Sequence, residues 1–158
     1  MKQNSKEHKY YRKKKCDDCC CDECCECCEN PAKLLVVVDV QRDFFDPAGS
    51  LYVAGGESLP AKIAAVMPQF DKVVFTLDWH PGDHCSFKEN GGPWPAHCVA
   101  YTQGAGLADE FAPVLAKGPE YVRLFFKGTE KEREEYGAFD GLGSLEQYSA
   151  IYDWLRTA

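Results

Sequence analysis

Asp78 and His80 stand two residues apart in the run Thr76-Leu77-Asp78-Trp79-His80-Pro81. In an extended segment, side chains alternate between faces, so this carboxylate and this imidazole point the same way while Trp79 points away. One carboxylate oxygen and one ring nitrogen on a single face are half of a divalent metal site. His97 lies across a loop rich in Gly and Pro that can fold back on them. Two histidines and one carboxylate leave positions open for water or substrate on zinc, iron or manganese. Glu89, inside the same loop, is a candidate fourth ligand. His84 competes for the site, or orients a ligand from behind it. A single histidine is more often structural. Three within residues 80–97, one of them paired with Asp78, favour a metal.

Two further chemically capable residues stand at the ends of apolar runs. Asp39 follows Leu34-Leu35-Val36-Val37-Val38, and Lys127 follows Tyr121–Phe126. Ligands of open parallel sheets bind beyond the carboxyl ends of the strands, where Asp39, Asp78 and Lys127 all fall. A magnesium-holding role for Asp39 in nucleotide binding is excluded, because no G-x-x-x-x-G-K-[ST] occurs. Lys127 is either a snorkelling surface lysine or a partly buried ammonium that lowers the pKa of a neighbouring thiol or carboxylate.

The elements that must position these residues alternate. Leu34–Val38 reads as a strand covered on both faces, as in the middle of a parallel sheet. Ser58 is placed to cap a helix running to about Phe70. Lys72–Leu77 is a second strand and Tyr121–Phe126 a third. A helix opens at Ser144, with Gln147 completing a capping box and Leu145, Tyr148, Ile151, Tyr152 and Leu155 at helical spacing. This alternation predicts an α/β fold with a parallel sheet.

Composition narrows the partners. The net charge is −7, and the lysines and arginines cluster only at residues 9–15. Phosphate binding needs a basic face, so nucleic acid is not expected as a partner. The longest aliphatic run, Leu34–Val38, falls far short of the roughly 20 residues of a spanning helix, so no membrane is expected either. The N-terminus has charge without an apolar segment behind it, unlike a secretory signal, which predicts a cytoplasmic protein. Eight of the ten cysteines lie in CDDCCCDECCECC, residues 16–28. Structural zinc sites separate their ligand pairs by about 12–20 residues, and no such spacer exists here. Residues 1–32 therefore read as a Cys-rich, disordered tail, with thiolate-rich metal chelation as the functional alternative. Asn30-Pro31 marks the boundary with a globular domain over 33–158.

Together, DVQRDFF from Asp39, TLDWHPGDHCSF from Thr76, WPAHCV from Trp94 and FKGTEKEREEYGAF from Phe126 resemble the nicotinamidase branch of the isochorismatase-like cysteine hydrolases. The resemblance covers about Leu34 to Ala158. D-W-H-P combined with W-P-x-H-C is its most specific part, since sibling branches generally lack that metal set. It implies a three-layer, Rossmann-like parallel sheet with helices on both faces. It also implies hydrolysis of nicotinamide to nicotinate and ammonia through a thioester. Asp39 would be the general base and Lys127 the cation of a Cys–Asp–Lys triad. Asp78, His80 and His97 would hold one divalent metal ion that binds the pyridine nitrogen. Phe44, Trp94 and Tyr136 match positions lining the ring pocket.

The sequence departs from that pattern at one decisive place. The family's nucleophilic cysteine sits beyond one more strand, after a Gly-containing turn, and this sequence reaches only Leu155-Arg156-Thr157-Ala158. Cys85 and Cys98 do not match its position. The sheet is therefore expected to be incomplete at its C-terminal side, with one edge of Leu34–Val38 unpaired. Pairing with a second copy, as a homo-oligomer, is one way to cover such an edge. Gly137 stands where the family commonly has Ser. The 158-residue polypeptide alone is expected to turn over nicotinamide negligibly. A non-catalytic metal- or ligand-binding remnant of the same fold is the alternative, and a non-haem iron oxygenase is disfavoured because its ligands usually sit in β-barrels.

Overall fold

A computed structural model describes residues 32–138 and Trp154. The Cys-rich stretch and most of the helix expected from Ser144 lie outside the described residues.

Three strands form one parallel sheet: β1 (Leu34–Val38), β2 (Lys72–Asp78) and β3 (Val122–Lys127), in the order β1-β2-β3. Between β1 and β2 run a short helix α1 (Arg42–Phe45) and the helix α2 (Leu59–Val66). The helix α3 (Ala112–Leu115) precedes β3. Every residue of β2 is buried, because this strand has neighbours on both edges and cover on both faces. Its composition, KVVFTLD, matches the continuous apolar run that such a position favours.

Among the described residues β1 pairs only with β2, so its other edge is unpaired as expected and β2 holds the middle of the three strands. In β1 only Val37 is buried, while Val36 and Val38 are 41% and 61% exposed. An unbroken aliphatic run marks a strand that can be covered on both faces. It does not say which elements do the covering.

The core lies on one face of the sheet. Val37, Val73, Phe75, Leu77 and Val122 pack against Met67, Phe111 and Val114 from the helical side. The Phe75 and Phe111 rings meet at 5.1 Å between centroids. Each such fully buried apolar side chain contributes roughly 1.5–3 kcal/mol. The opposite face carries Trp154, whose ring centre lies 4.7 Å from Lys72 Nζ and 4.9 Å from Arg123 Cζ. That same face presents Asp78 and Lys127 at its carboxyl edge.

The helix predicted from Ser58 to Phe70 is observed as α2 between two 3-10 turns, Gly56–Ser58 and Met67–Gln69. Ser58 does not cap it. Its hydroxyl donates to the Gly55 carbonyl and accepts from Lys62 Nζ, so it is engaged outside the helix's own N–H groups. Pro60 in the first turn removes one of the N–H groups a cap would satisfy. No helix among the described residues is long and apolar enough to cross a membrane.

Candidate functional site

The register of β2 with β3 places Asp78 directly opposite Lys127. Side chains of paired residues share a face, and the Lys127 ammonium donates to Asp78 Oδ1. Asp39 joins from the end of β1. Its backbone N–H still bonds to the Thr76 carbonyl at 3.0 Å, but its φ of 52° turns the chain out of the sheet. A non-glycine residue in this left-handed region costs of order 1–3 kcal/mol and is concentrated at functional sites. The turn brings Asp39 Oδ2 to 3.1 Å from Lys127 Nζ, while Oδ1 accepts from the Thr76 hydroxyl at 2.8 Å. Lys127 thus bridges two carboxylates in a nearly dry pocket.

Burial shapes the charge states of this trio. It raises the Asp39 pKa, with Asp78 adding to the effect and Lys127 only partly offsetting it. Burial would also raise Asp78, but the bonds from His80 and Lys127 outweigh it and hold that carboxyl below its ordinary value. Burial would lower Lys127, yet the two carboxylates more than compensate and keep it an ammonium. The pair Asp39–Lys127 therefore combines a firmly held cation with a carboxylate of enhanced basicity.

The second oxygen of Asp78 faces the histidines. His80 Nε2 and His97 Nε2 each lie 3.7 Å from Asp78 Oδ2. Both imidazoles are fixed from behind: His80 Nδ1 bonds the Gly128 carbonyl at 2.9 Å, and His97 Nδ1 bonds the Pro95 carbonyl at 2.8 Å. A carbonyl accepts only, so each Nδ1 carries a proton, and each Nε2 faces Asp78, where it donates to the carboxylate when protonated and offers its lone pair to a metal when not. Metal–ligand bonds of about 2.1 Å in a tetrahedral site place ligand atoms about 3.4 Å apart, close to the observed spacing. The donor set fits one divalent ion bound by Asp78, His80 and His97, all buried.

The surroundings support this geometry. Gly128 has φ 62°, and a Cβ there would fall 2.5 Å from His80 Nδ1, so only glycine lets the backbone reach that ring. His84 is fully buried and stacks on His80 at 4.2 Å between centroids. Its nitrogens meet Ser86 Oγ at 2.7 Å and the Arg133 carbonyl at 2.9 Å, so it stacks behind His80 outside the triad, though with His80 and Glu134 it forms a second metal-capable group. Glu89 is exposed on a 3-10 turn and joins no metal-capable group among the described residues.

Of the predicted ring-pocket residues, Phe44 lies against His97, 5.7 Å between centroids. It also lines an apolar cavity of about 560 Å³ with Val38, Asp39, Val53 and Leu59. Trp94 is 38% exposed and Tyr136 is 70% exposed, and neither ring pairs with the rings of His80, His97 or Phe44 among the described residues. Sequence reasoning passed over Phe87. This fully buried ring packs edge-on against His80 and also lies against His97 and His84. The one signal for it was its position three residues after His84. Gln41 and Asp43, two and four residues after Asp39 in the same DVQRDFF stretch, were also passed over.

No protein-family model matches the chain. Individual proteins do. The nicotinamidase of Saccharomyces cerevisiae is 34% identical over 143 residues, which cover 73% of this chain and 65% of that protein. A solved structure of yeast nicotinamidase superposes with a TM-score of 0.65 at 30% identity, covering 76% of this chain and 70% of the other. The chain belongs to the nicotinamidase family. Two more family structures carry ligands. The Pyrococcus horikoshii pyrazinamidase in complex with zinc is 37% identical with a TM-score of 0.64, covering 77% and 66% of the two chains. Yeast nicotinamidase bound to the inhibitor nicotinaldehyde is 29% identical with a TM-score of 0.68, covering 77% and 70%. The chain spans about two thirds of the length of these relatives.

Against this family background the two described cysteines are informative. Cys98 is fully buried, and burial together with Asp78, Asp43 and Asp39 pushes its thiol far above the ordinary range. A thiol held neutral in this way is a poor nucleophile. Cys85 lies in the metal loop, its backbone N–H bonded to the Lys131 carbonyl at 2.8 Å. Cys98 does not stand ready as the attacking group.

Proposed function

We propose that the described residues form the metal-holding and proton-handling part of an amidase that hydrolyses nicotinamide to nicotinate and ammonia. One observation carries the reading: Asp78 serves two neighbours at once, its Oδ1 bonded to Lys127 beside Asp39 and its Oδ2 facing His80 and His97. An ion at Asp78, His80 and His97, whether zinc, iron or manganese, supplies a fixed point for the pyridine nitrogen of the substrate. That fixed point sits one carboxylate away from the pair that handles protons. Binding the ring there converts attack on its carboxamide into a local, oriented step.

In this reading Asp39 accepts the proton of a cysteine thiol that comes from outside the described residues. The thiolate bonds to the carbonyl carbon, the C–N bond breaks, and the nitrogen leaves as ammonia with the proton returned from Asp39. Water then cleaves the thioester to release nicotinate and the thiol. Lys127 holds Asp39 and Asp78 in place and compensates their charge throughout. Phe44 offers an aromatic face beside His97 for the ring, and the family resemblance supports Trp94 and Tyr136 as further contacts to it. Residues 33–158 are the portion of the domain in hand, residues 1–32 are a separate Cys-rich tail, and the protein works in the cytoplasm.

The test is nicotinate and ammonia release from nicotinamide by the complete gene product with zinc restored. Chelation and Asp39→Asn are each expected to lower the rate by at least 100-fold, the scale of a lost general base. Stoichiometric zinc with nicotinamide left intact would overturn the amidase and leave a metal-binding protein of the same fold.

A further inference from the structure

The motif that opens the site contains a buried glutamine, Gln41, and a part-buried aspartate, Asp43, with no part in the chemistry above. Gln41 is wholly inaccessible. Its side-chain amide Oε1 accepts from the Asp78 backbone N–H at 2.8 Å, and its Nε2 donates to the Asp78 carbonyl at 2.7 Å and to the Ala105 carbonyl at 2.9 Å. All the hydrogen-bonding capacity of Asp78's main chain toward β1 is therefore taken by one side chain.

Ladder geometry explains the need for it. In a parallel pair, a residue that donates to one partner carbonyl normally accepts from the N–H two residues further on. Asp39 donates to Thr76, so its own carbonyl would be expected to accept from Asp78. The left-handed turn at Asp39 sends that carbonyl elsewhere, to the Gln41 N–H at 2.9 Å. Gln41's amide fills the missing rung. The chain leaves the sheet, Asp39 swings toward Lys127, and Asp78 keeps a rigid backbone.

Asp43, two residues further, makes the corresponding bond to the other arm of the site. Its Oδ2 accepts from the Cys98 N–H at 2.7 Å and its Oδ1 from the Ser50 N–H at 3.1 Å. The Cys98 nitrogen belongs to the peptide that joins it to His97. The Cys98 carbonyl in turn accepts from the His80 N–H at 3.1 Å. Gly104 admits the carboxylate: a Cβ there would lie 2.5 Å from Asp43 Oδ1. Residues 39, 41 and 43 thus reach three different parts of the site from one short stretch.

We propose that Gln41 and Asp43 are positioning residues of the metal site, Gln41 fixing Asp78 through its backbone and Asp43 fixing His97 through the peptide that follows it. The inference rests on the metal reading of the Asp78–His80–His97 triad and is independent of the amide chemistry. Ligand supports of this kind change metal affinity by 10- to 100-fold when removed.

The experiment measures zinc affinity of the full chain, with the eight cysteines of residues 16–28 replaced by serine in every protein compared so that only the folded site is read, by competition with a chromophoric chelator, well below the melting temperature. The visible spectrum of the cobalt(II)-loaded protein and the metal-free melting curve accompany it. Gln41→Met, similar in length but without the amide, should bind zinc 10- to 100-fold more weakly and show shifted cobalt bands. Gln41→Glu keeps an acceptor for the Asp78 N–H and should recover part of the affinity. Asp43→Asn, which turns one acceptor into a donor, should weaken zinc as well, and it keeps the question open to measurement if Gln41→Met does not fold. Lower melting temperatures with unchanged affinity and unchanged cobalt bands would mean that the two residues are structural only, and would overturn the proposal. Absence of zinc binding by the protein with Gln41 and Asp43 intact would instead sink the metal reading beneath it.

Discussion

Replacing Gly128 with alanine tests the metal site through its backbone support without touching a ligand. The new Cβ would stand 2.5 Å from His80 Nδ1 and nearer still to Cε1, whereas ordinary contact begins at 3.4 Å, so the ring must retreat by at least 0.9 Å (3.4 − 2.5). That retreat is nearly half of a zinc–nitrogen bond of about 2.0–2.1 Å. It also breaks the Nδ1 bond to the Gly128 carbonyl, and His84 stacked at 4.2 Å limits where the ring can go. Two costs add for the metal-free protein. An alanine held at φ 62° loses about 1–2 kcal/mol relative to glycine. The lost hydrogen bond contributes about 1 kcal/mol more. The expected destabilisation is therefore about 2–3 kcal/mol, a fall in Tm on the order of 10 °C for a domain of this size. Zinc affinity should drop by roughly 10- to 100-fold or more, because His80 no longer shares a focus with Asp78 and His97. Chelator competition and thermal melts with and without zinc read both numbers. Unchanged zinc affinity in a folded G128A protein would refute the assignment of His80 as a ligand whose position Gly128 sets.

Two other outcomes follow from the same geometry. Zinc at about 100 times its Kd should raise the stability of the folded chain by about 2.7 kcal/mol, and a chelator should reverse it; a melting curve indifferent to zinc would contradict the site. Asp39→Asn should stabilise the metal-free protein at neutral pH. Burial raises the folded-state pKa of Asp39 above its unfolded value, so the native state binds this proton more readily. Stability from this group is complete below the unfolded pKa and is lost as pH rises through the folded one, so the penalty that the substitution removes exists only on the neutral side. Denaturant melts of both proteins should therefore converge as the pH is lowered toward the unfolded pKa. A difference that stays constant or grows toward acid pH would contradict the sign.

The strands were legible because their apolar runs are long and their ends are polar. Leu34–Val38 was placed with the bounds observed, and the strands ending near Asp78 and Lys127 were placed to within one residue. The shared face of Asp78 and His80 was legible for a local reason, since alternation along an extended chain needs no tertiary information. Ser58 misled because a hydroxyl before an apolar stretch is a good capping signal, while its actual partners, Gly55 and Lys62, depend on how the preceding turn folds. The unpaired edge of β1 was legible too, because the resemblance places a further strand beside it that the described residues do not include.

What the sequence by itself determined, then, is the chemical inventory and its local phase: which residues can hold a metal, and which two of them must face the same way. The tertiary structure decided what those residues do to one another. Strand register alone sets Asp78 opposite Lys127, 49 residues away in the chain. The left-handed turn at Asp39 frees a backbone rung that Gln41 then fills, and nothing in the order of residues encodes a positive φ at an aspartate. Both are consequences of hydrogen-bond closure across the sheet, a constraint that exists only once the strands have met.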